Sequence, residues 1–461
     1  MSDIAAATPH LSSGPIMTTR HFAVIGAGAG GLCAAKNLLA RGIEVTIFEV
    51  GTRIGGLWVY NNDSGLSPAY RSLHINSEAK VSSFIDFPFE PGTPLYPNAA
   101  RMERYFRDYA EHFRLTSRIR FSSRVKAIVP DGSGYRLDIE DGSSHRFDGV
   151  VVATGHQSVP RHPPQVQGFA GTYLHAHSYR EPELFAGQRV LVIGPGNSGV
   201  DIAADVCSVT AMTWLSARSP VLIMPRLMFG MPQSRILMKL ERPFLPWSVR
   251  LWIRTKLTRM FHGQMEQLGF RTPKGRTHPI SHPTLISMLA WDRVRAKPGI
   301  DWVEGRVVHF VDGTSEEIDT IIACTGYLTA LPFLPEGTSP VRESYLHLYN
   351  RVVSPLLPNL FFIGFFDVTG GSNIRMMDDQ AEYIAAIVAG AIKLPAPAAM
   401  EQAIMADKAF QESMFPGTPR YALELDPVRY RKLLAKDYDR NGVQHTRPAP
   451  VERALLRESA A

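Results

Sequence analysis

Residues 21–58 read HFAVIGAGAGGLCAAKNLLARGIEVTIFEVGTRIGGLW. The apolar, β-branched run Phe22 to Ile25 stops at a glycine cluster. A helical pattern then runs from Leu32 to Arg41, and a second apolar run, Ile43 to Phe48, ends on Glu49. Strand, glycine turn, helix and strand make one βαβ unit. Gly26, Gly28 and Gly31 fit G-x-G-x-x-G in that context. The first glycine allows the tight turn, the second lets a pyrophosphate approach the backbone, and the third lets helix and strand pack closely. Phosphates would sit on the unpaired N–H groups of the helix start, and Glu49 is placed to accept hydrogen bonds from a ribose diol. The unit is expected to bind a dinucleotide; the bland alternative is a glycine-rich turn in an unrelated α/β protein.

The same grammar returns. Arg189 to Ile193 reads as a strand, Gly194-Pro195-Gly196-Asn197-Ser198-Gly199 as a second glycine turn, Val200 to Cys207 as a helix and Thr210 to Leu215 as a strand. Each copy continues through alternating segments and an Asp-Gly turn, Asp141-Gly142 or Asp312-Gly313. A buried strand ending in Thr-Gly closes each, at Thr154-Gly155 and Thr325-Gly326. A further strand, Leu360 to Gly364, and a helix, Asp378 to Ala391, bring the chain back to the first unit, with the helix N-terminus toward a flavin ring. The fold expected is therefore α/β, two Rossmann-like dinucleotide-binding domains with the second inserted in the first. The boundaries read as a disordered tail at 1–20, an FAD-binding domain at 21–160 and 327–461, and an NADPH-binding domain at 161–326 that carries an insertion at about 221–290. The second copy ends its second strand on Ser216-Ala217-Arg218, without an acid to match Glu49. An arginine accommodates a 2′-phosphate that an acid would repel, so FAD is assigned to the first site and NADPH to the second. A solvated surface arginine is the plainer reading of Arg218.

The 461 residues allow two or three domains and a large core. The net charge of +6 suits anionic cofactors, and no Lys/Arg run argues for nucleic acid. Cys33, Cys207 and Cys324 are far apart and form no C-x-x-C, which leaves no zinc ribbon or dithiol centre. A reducing, cytoplasmic setting follows. No uncharged apolar stretch reaches the roughly 18 residues that span a bilayer. Residues 221–262 carry eight basic residues, from Arg226 to Arg259, against the single acid Glu241, among Phe, Leu, Met and Trp. Such a segment suits peripheral contact with a membrane or a guard over an apolar channel; a surface insertion with arginine stems over apolar area serves equally. Gly55-Gly56-Leu57-Trp58 suits a loop whose backbone lies along a flat ring, or a plain turn with a core Trp.

The chain resembles the class B flavin-dependent monooxygenases, specifically the flavin-containing monooxygenase family, from about residue 21 to 391. Phe169-x-Gly171-x-x-x-His175-x-x-x-Tyr179, between the two glycine turns, is similar to that family's F-x-G-x-x-x-H-x-x-x-(Y/F) motif. Gly55-Gly56-Leu57-Trp58, Asn76-Ser77 and Thr325-Gly326-Tyr327 also match in order and spacing. The resemblance implies an NADPH- and O₂-dependent flavoprotein monooxygenase of the N,N-dimethylaniline type. Such an enzyme forms a C4a-hydroperoxyflavin and oxygenates an amine nitrogen or a sulfide sulfur. It implies an FAD site from Gly26, Gly28, Ala29, Gly30, Gly31, Glu49, Gly56, Leu57, Trp58, Asn76, Ser77 and Gln380. The implied NADP site comprises Ile75, Asn76, Gly194, Gly196, Asn197, Ser198, Gly199, Arg218, Thr325 and Gly326, and no metal is implied. Asn76, expected to hydrogen-bond beside the flavin, and His175, expected in the interdomain linker near NADPH, are the catalytic candidates; a structural role serves equally for His175. Ile75 stands where the family often has Thr or Ser, so one polar contact is missing. Tyr179-Arg180, where Baeyer–Villiger enzymes carry Trp followed by Pro or Asp, favours heteroatom over ketone oxygenation. A flavin redox sensor without turnover is the reading from another class. The partners implied are a small molecule and O₂; a homodimer is common for such enzymes.

Overall fold

The computed structural model describes residues 20–240, 247–275, 280–368, 371–414 and 422–444. The expected tail at 1–19, Glu241 and Arg242 lie outside them. Strands β1 (His21–Ile25), β2 (Glu44–Phe48), β3 (Ile119–Arg120) and β4 (Gly149–Val152) form one parallel sheet, to which a late strand, β10 (Leu360–Phe362), is added. Its order is β10-β4-β1-β2-β3. The second parallel sheet takes β5 (Thr172–His175), β6 (Arg189–Ile193), β7 (Met212–Ser216), β8 (Val294–Lys297) and β9 (Thr320–Ala323) in the order β5-β9-β6-β7-β8. The two orders superimpose strand for strand. The outer strand beside β4 comes from the chain after the second unit, whereas the one beside β9 comes from the chain before it. Each unit also carries an antiparallel three-stranded meander, Val125–Asp131 with Gly134–Ile139 and Ser144–Phe147, and Ile300–Glu304 with Val307–Phe310 and Ser315–Glu317. The second Rossmann-like unit is thus inserted in the first.

The central strands are buried almost end to end, as sheets covered on both faces require. Helix α1 (Ala29–Leu39) opens on Ala29-Gly30-Gly31, and helix α7 (Asn373–Val388) packs on it; between them the second unit carries α3 (Asn197–Val206), α4 (Gln233–Leu240), α5 (Trp247–His262) and α6 (Leu285–Ala290). Helix α2 (Ala99–His112) is amphipathic, burying Met102, Tyr105, Phe106 and Tyr109. The phenol of Tyr105 donates to Phe87 O at 2.6 Å and accepts from Phe84 N at 2.8 Å, which ties down the irregular segment that carries Asn76. Fully burying such large side chains contributes roughly 1.5–3 kcal/mol each.

Sequence reading names no element after Ala391; the structure shows two helices there. Helices α8 (Pro397–Met414) and α9 (Pro427–Arg440) bury Met400, Ile404, Tyr430, Leu434 and Tyr438 in the core shared by α1 and α7. Charged residues dilute the apolar periodicity because buried acids are paired there. Asp437 accepts from Tyr349 and Tyr383, and Asp407 from Arg351 and Arg429.

Candidate active site

The first glycine turn is built by exclusion. Gly26 has φ +107°, and a Cβ on it would lie 2.7 Å from Ala153 O. A Cβ on Gly31 would lie 1.8 Å from Gly26 O, so no side chain fits. Gly28 meets Gly56 almost backbone to backbone, which brings Gly56-Leu57-Trp58 against the turn; Leu57 is exposed there and Trp58 half-buried. Ala29 opens the helix half-buried, and Gly30 sits against Ile363 and Met377. Helix α1 starts at Gly28 with neither a side-chain cap nor an acid in its first turn. Helix α3 (Asn197–Val206), starting at Gly196, is uncapped in the same way. Helices α2, α7 and α9, by contrast, are capped by the side chains of Asn98, Ser372 and Asp426. A helix start without a side-chain cap above a glycine cradle is what a dinucleotide pyrophosphate requires, so these residues fit FAD at α1 and NADP(H) at α3.

Glu49 is buried and braces the first turn: one carboxylate oxygen accepts from Ala27 N at 2.7 Å, the other from Gly51 N at 2.9 Å. Burial raises its pKa while these two N–H groups pull it back, and each oxygen keeps a lone pair for a diol. In the second unit Gly194 and Gly199 repeat the cradle, against Cys324 O and Gly194 O. The residue in register with Glu49 is Ala217, since Glu49 N donates to Arg120 O and Ala217 N to Lys297 O. Arg218 is one residue further on and exposed. Asn197 and Ser198 lie half-buried at the start of α3, and Thr325 Oγ donates to Arg161 O at 2.5 Å while Gly326 O accepts from Arg161 N.

Two of the expected site residues have firm structural partners. Helix α7 begins five residues before the expected Asp378, so Gln380 lies two turns in rather than at the open end. Its amide is fully buried, accepts from Gly364 N at 3.0 Å and faces Arg351 O and Tyr430 Oη; it braces the end of β10. His175 ends β5, buried, with Nδ1 accepting from His177 N at 3.1 Å and its ring edge-on to Tyr327. Burial and the neighbouring His162 push its pKa down to about 4, which keeps the ring neutral at physiological pH. The linker motif has a mechanical role. Gly171 lies under the ring of Phe169, and Tyr179 Oη donates to Asp205 on α3 at 2.6 Å.

Asn76 is exposed, between buried Ile75 and half-buried Ser77, whose hydroxyl pairs with Ser82. Its partner is Arg226, from the basic insertion, which donates through Nη2 to Asn76 Oδ1 at 3.0 Å. Arg235 grips the same segment, donating to both oxygens of Glu78 at 3.0 and 2.8 Å. These two arginines of the basic insertion hold the Asn76 loop. Sequence reading missed Arg226 and its acid Asp201. The available signal was the i, i+4 pair Asp201 and Asp205 on a helix whose other residues from Val200 to Val206 are apolar.

The comparisons agree with this geometry. The family model described as "Flavin-binding monooxygenase-like" matches residues 19–438. Flavin-containing monooxygenase 1 of Rattus norvegicus is 32% identical, with 89% of this chain and 81% of that protein covered. Among solved structures, the S-allyl-L-cysteine S-oxygenase of Allium sativum is 26% identical at TM-score 0.70, covering 93% and 90% of the two chains. Cyclohexanone monooxygenase of Rhodococcus sp. Phi1, bound to NADP⁺, shares the fold at TM-score 0.67 and 18% identity, covering 94% and 100%. A chain with an uncapped flavin cradle, a second uncapped cradle for NADP(H) and this match over most of its length belongs to the flavin-binding monooxygenase-like family, as an FAD-dependent NADPH monooxygenase.

Proposed function

We propose that this monooxygenase transfers oxygen to a soft nucleophile, an amine nitrogen or a sulfide sulfur, with residues 21–160 and 327–461 binding FAD and 161–326 binding NADPH. The observation that carries the reading is the end of the linker motif. Tyr179 is committed to Asp205, and Arg180 donates to His177 O and Tyr179 O at 2.7 and 2.8 Å, a heteroatom-type Tyr-Arg pair built into the linker. The similarity to an S-oxygenase at 26% identity supports it. NADPH-reduced flavin supplies the chemistry, activating O₂ so that one oxygen atom passes to the nucleophile and the other leaves as water. The protein's own residues bind, orient and exclude water. The glycine cradles take the pyrophosphates, Glu49 takes a ribose, and Asn76 offers an amide beside the ring. His175, neutral, positions the linker.

Trp252, Met260 and Phe229, exposed by 61%, 70% and 64% among basic side chains, support peripheral contact of the insertion with a lipid surface. Among the described residues no helix is long and apolar enough to cross a membrane. The reaction is tested by turning over N,N-dimethylaniline, a methyl aryl sulfide and cyclohexanone with NADPH and O₂ and identifying products by mass. N-oxide and sulfoxide are expected to exceed lactone; lactone as the main product would overturn the heteroatom assignment.

A further inference from the structure

Resting on that reading, we propose that Arg226 is a positioning residue for Asn76, coupling the Asn76 amide to the second dinucleotide helix through Asp201. Three parts of the chain meet here. Asn76 lies on the irregular segment of the flavin unit, Asp201 in the second turn of α3, and Arg226 just past the short strand Ile223–Met224 of the insertion. Arg226 is 8% exposed. Its Nη2 bridges Asn76 Oδ1 at 3.0 Å and Asp201 Oδ1 at 3.4 Å, and its backbone carbonyl accepts from Tyr96 Oη at 2.8 Å.

A guanidinium only donates. Contact with Arg226 therefore assigns the amide, with Oδ1 toward the arginine and the Nδ2 donor turned away from it. An amide that could flip would present donor and acceptor in turn; this one presents a donor.

Asp201 is itself held from two further sides. Tyr70 Oη donates to Oδ2 at 2.9 Å, and His282 Nε2 lies 3.3 Å from Oδ1. His282 Nδ1 accepts from Thr284 N and Leu285 N, so its proton is on Nε2 and the ring donates to Asp201 without a charge. Arg226 is thus the cation that compensates a carboxylate buried on the helix whose open end fits NADP(H). Displacement of that helix on binding the nucleotide would reach Asn76 through two contacts.

The test is a double-mutant cycle on the flavin-loaded protein, comparing wild type, R226M, N76A and R226M/N76A. Two quantities are read: the dissociation constant of NADP⁺ by calorimetry, and H₂O₂ release with NADPH and no organic substrate. R226M is expected to raise H₂O₂ release about tenfold and weaken NADP⁺ several-fold, R226K to recover part of both, and the double variant to match N76A. If R226M loses its flavin, R226K and D201N carry the same comparison and are expected to shift both quantities the same way. Multiplicative effects in the double variant, or wild-type values for both quantities in the single ones, would overturn the proposal. A wild type that binds flavin but does not oxidise NADPH would overturn the underlying reading instead.

Discussion

The two glycine turns of this protein are one structure used twice, and they part company at a single strand end. In both, the first glycine N donates to the last residue of the second strand, Gly26 to Phe48 O at 2.8 Å and Gly194 to Ser216 O at 2.9 Å. In both, the third glycine has no room for a Cβ, which would stand 1.8 Å from the first glycine's carbonyl. Even the entry is repeated, with Asp148 accepting from His21 N and Asp319 from Arg189 N. Backbone sterics dictate these features, so both copies keep them. The residue after the second strand is free of that constraint and differs, a buried Glu49 in one copy and Ala217 followed by exposed Arg218 in the other. The shared skeleton and the point of divergence therefore lie on different residues.

Breaking the skeleton should have the largest effect. G31A forces a Cβ into Gly26 O, beyond the roughly 1–3 kcal/mol of ordinary overpacking, and the protein is expected to purify without flavin. G199A, equivalent in geometry, should stay yellow and lose NADP⁺ binding; flavin absorbance and calorimetry separate the two. If G199A also lost flavin, the two units would not be independent sites. Exchanging strand-end chemistry should have the next effect. R218A is expected to lower kcat/KM for NADPH by about 10–100-fold, the range of a lost charge-assisted hydrogen bond, and to leave NADH unchanged. A217E should push the preference further toward NADH. Equal loss with both nucleotides would place the 2′-phosphate elsewhere.

Acid should act with opposite signs on the buried histidines of the second unit and on a buried acid of the first. His175 and His282 are held neutral, with pKa values lowered to about 4 and about 3 by burial. Unfolding lets them take up protons, so their contribution is full above about 6.5 and is lost as pH falls toward 4. Asp378, beside Lys36 under α1, has the opposite sign, because burial raises its carboxyl to about 6. Its contribution is full below the ordinary carboxylate range and declines as pH rises through 6. H175Q should flatten the acid limb of a melting curve between pH 6.5 and 4, and D378N the limb between pH 4 and 6 with the reverse slope. The smallest effect is expected at the entry. D148A, losing the His21 N–H acceptor, should cost about 1 kcal/mol. D319A should cost more, because Asp319 also takes the Arg189 guanidinium, which holds its carboxyl down to about 2. Equal melting shifts would mean the arginine adds nothing.

The duplication and both cradles were legible because each is a local pattern. Apolar runs of strand length, glycines where a Cβ cannot fit, and the residue after the strand are all set within about 30 residues of chain. Boundaries shifted where caps decided them, as at Ser372, which starts α7 five residues before the apolar periodicity suggests. Helices α8 and α9 were hidden because their core-facing positions include acids, which only tertiary partners such as Tyr349, Arg351 and Arg429 make compatible with burial. The basic insertion was read by its composition, and composition cannot say which arginine finds an acid. The sequence by itself determined the two Rossmann-like units and the glycine turn at the head of each. Only the tertiary structure decided that Arg226, 150 residues from Asn76, orients its amide and joins it to Asp201. A hydrogen bond needs two groups within about 3 Å, and no sequence separation encodes that distance.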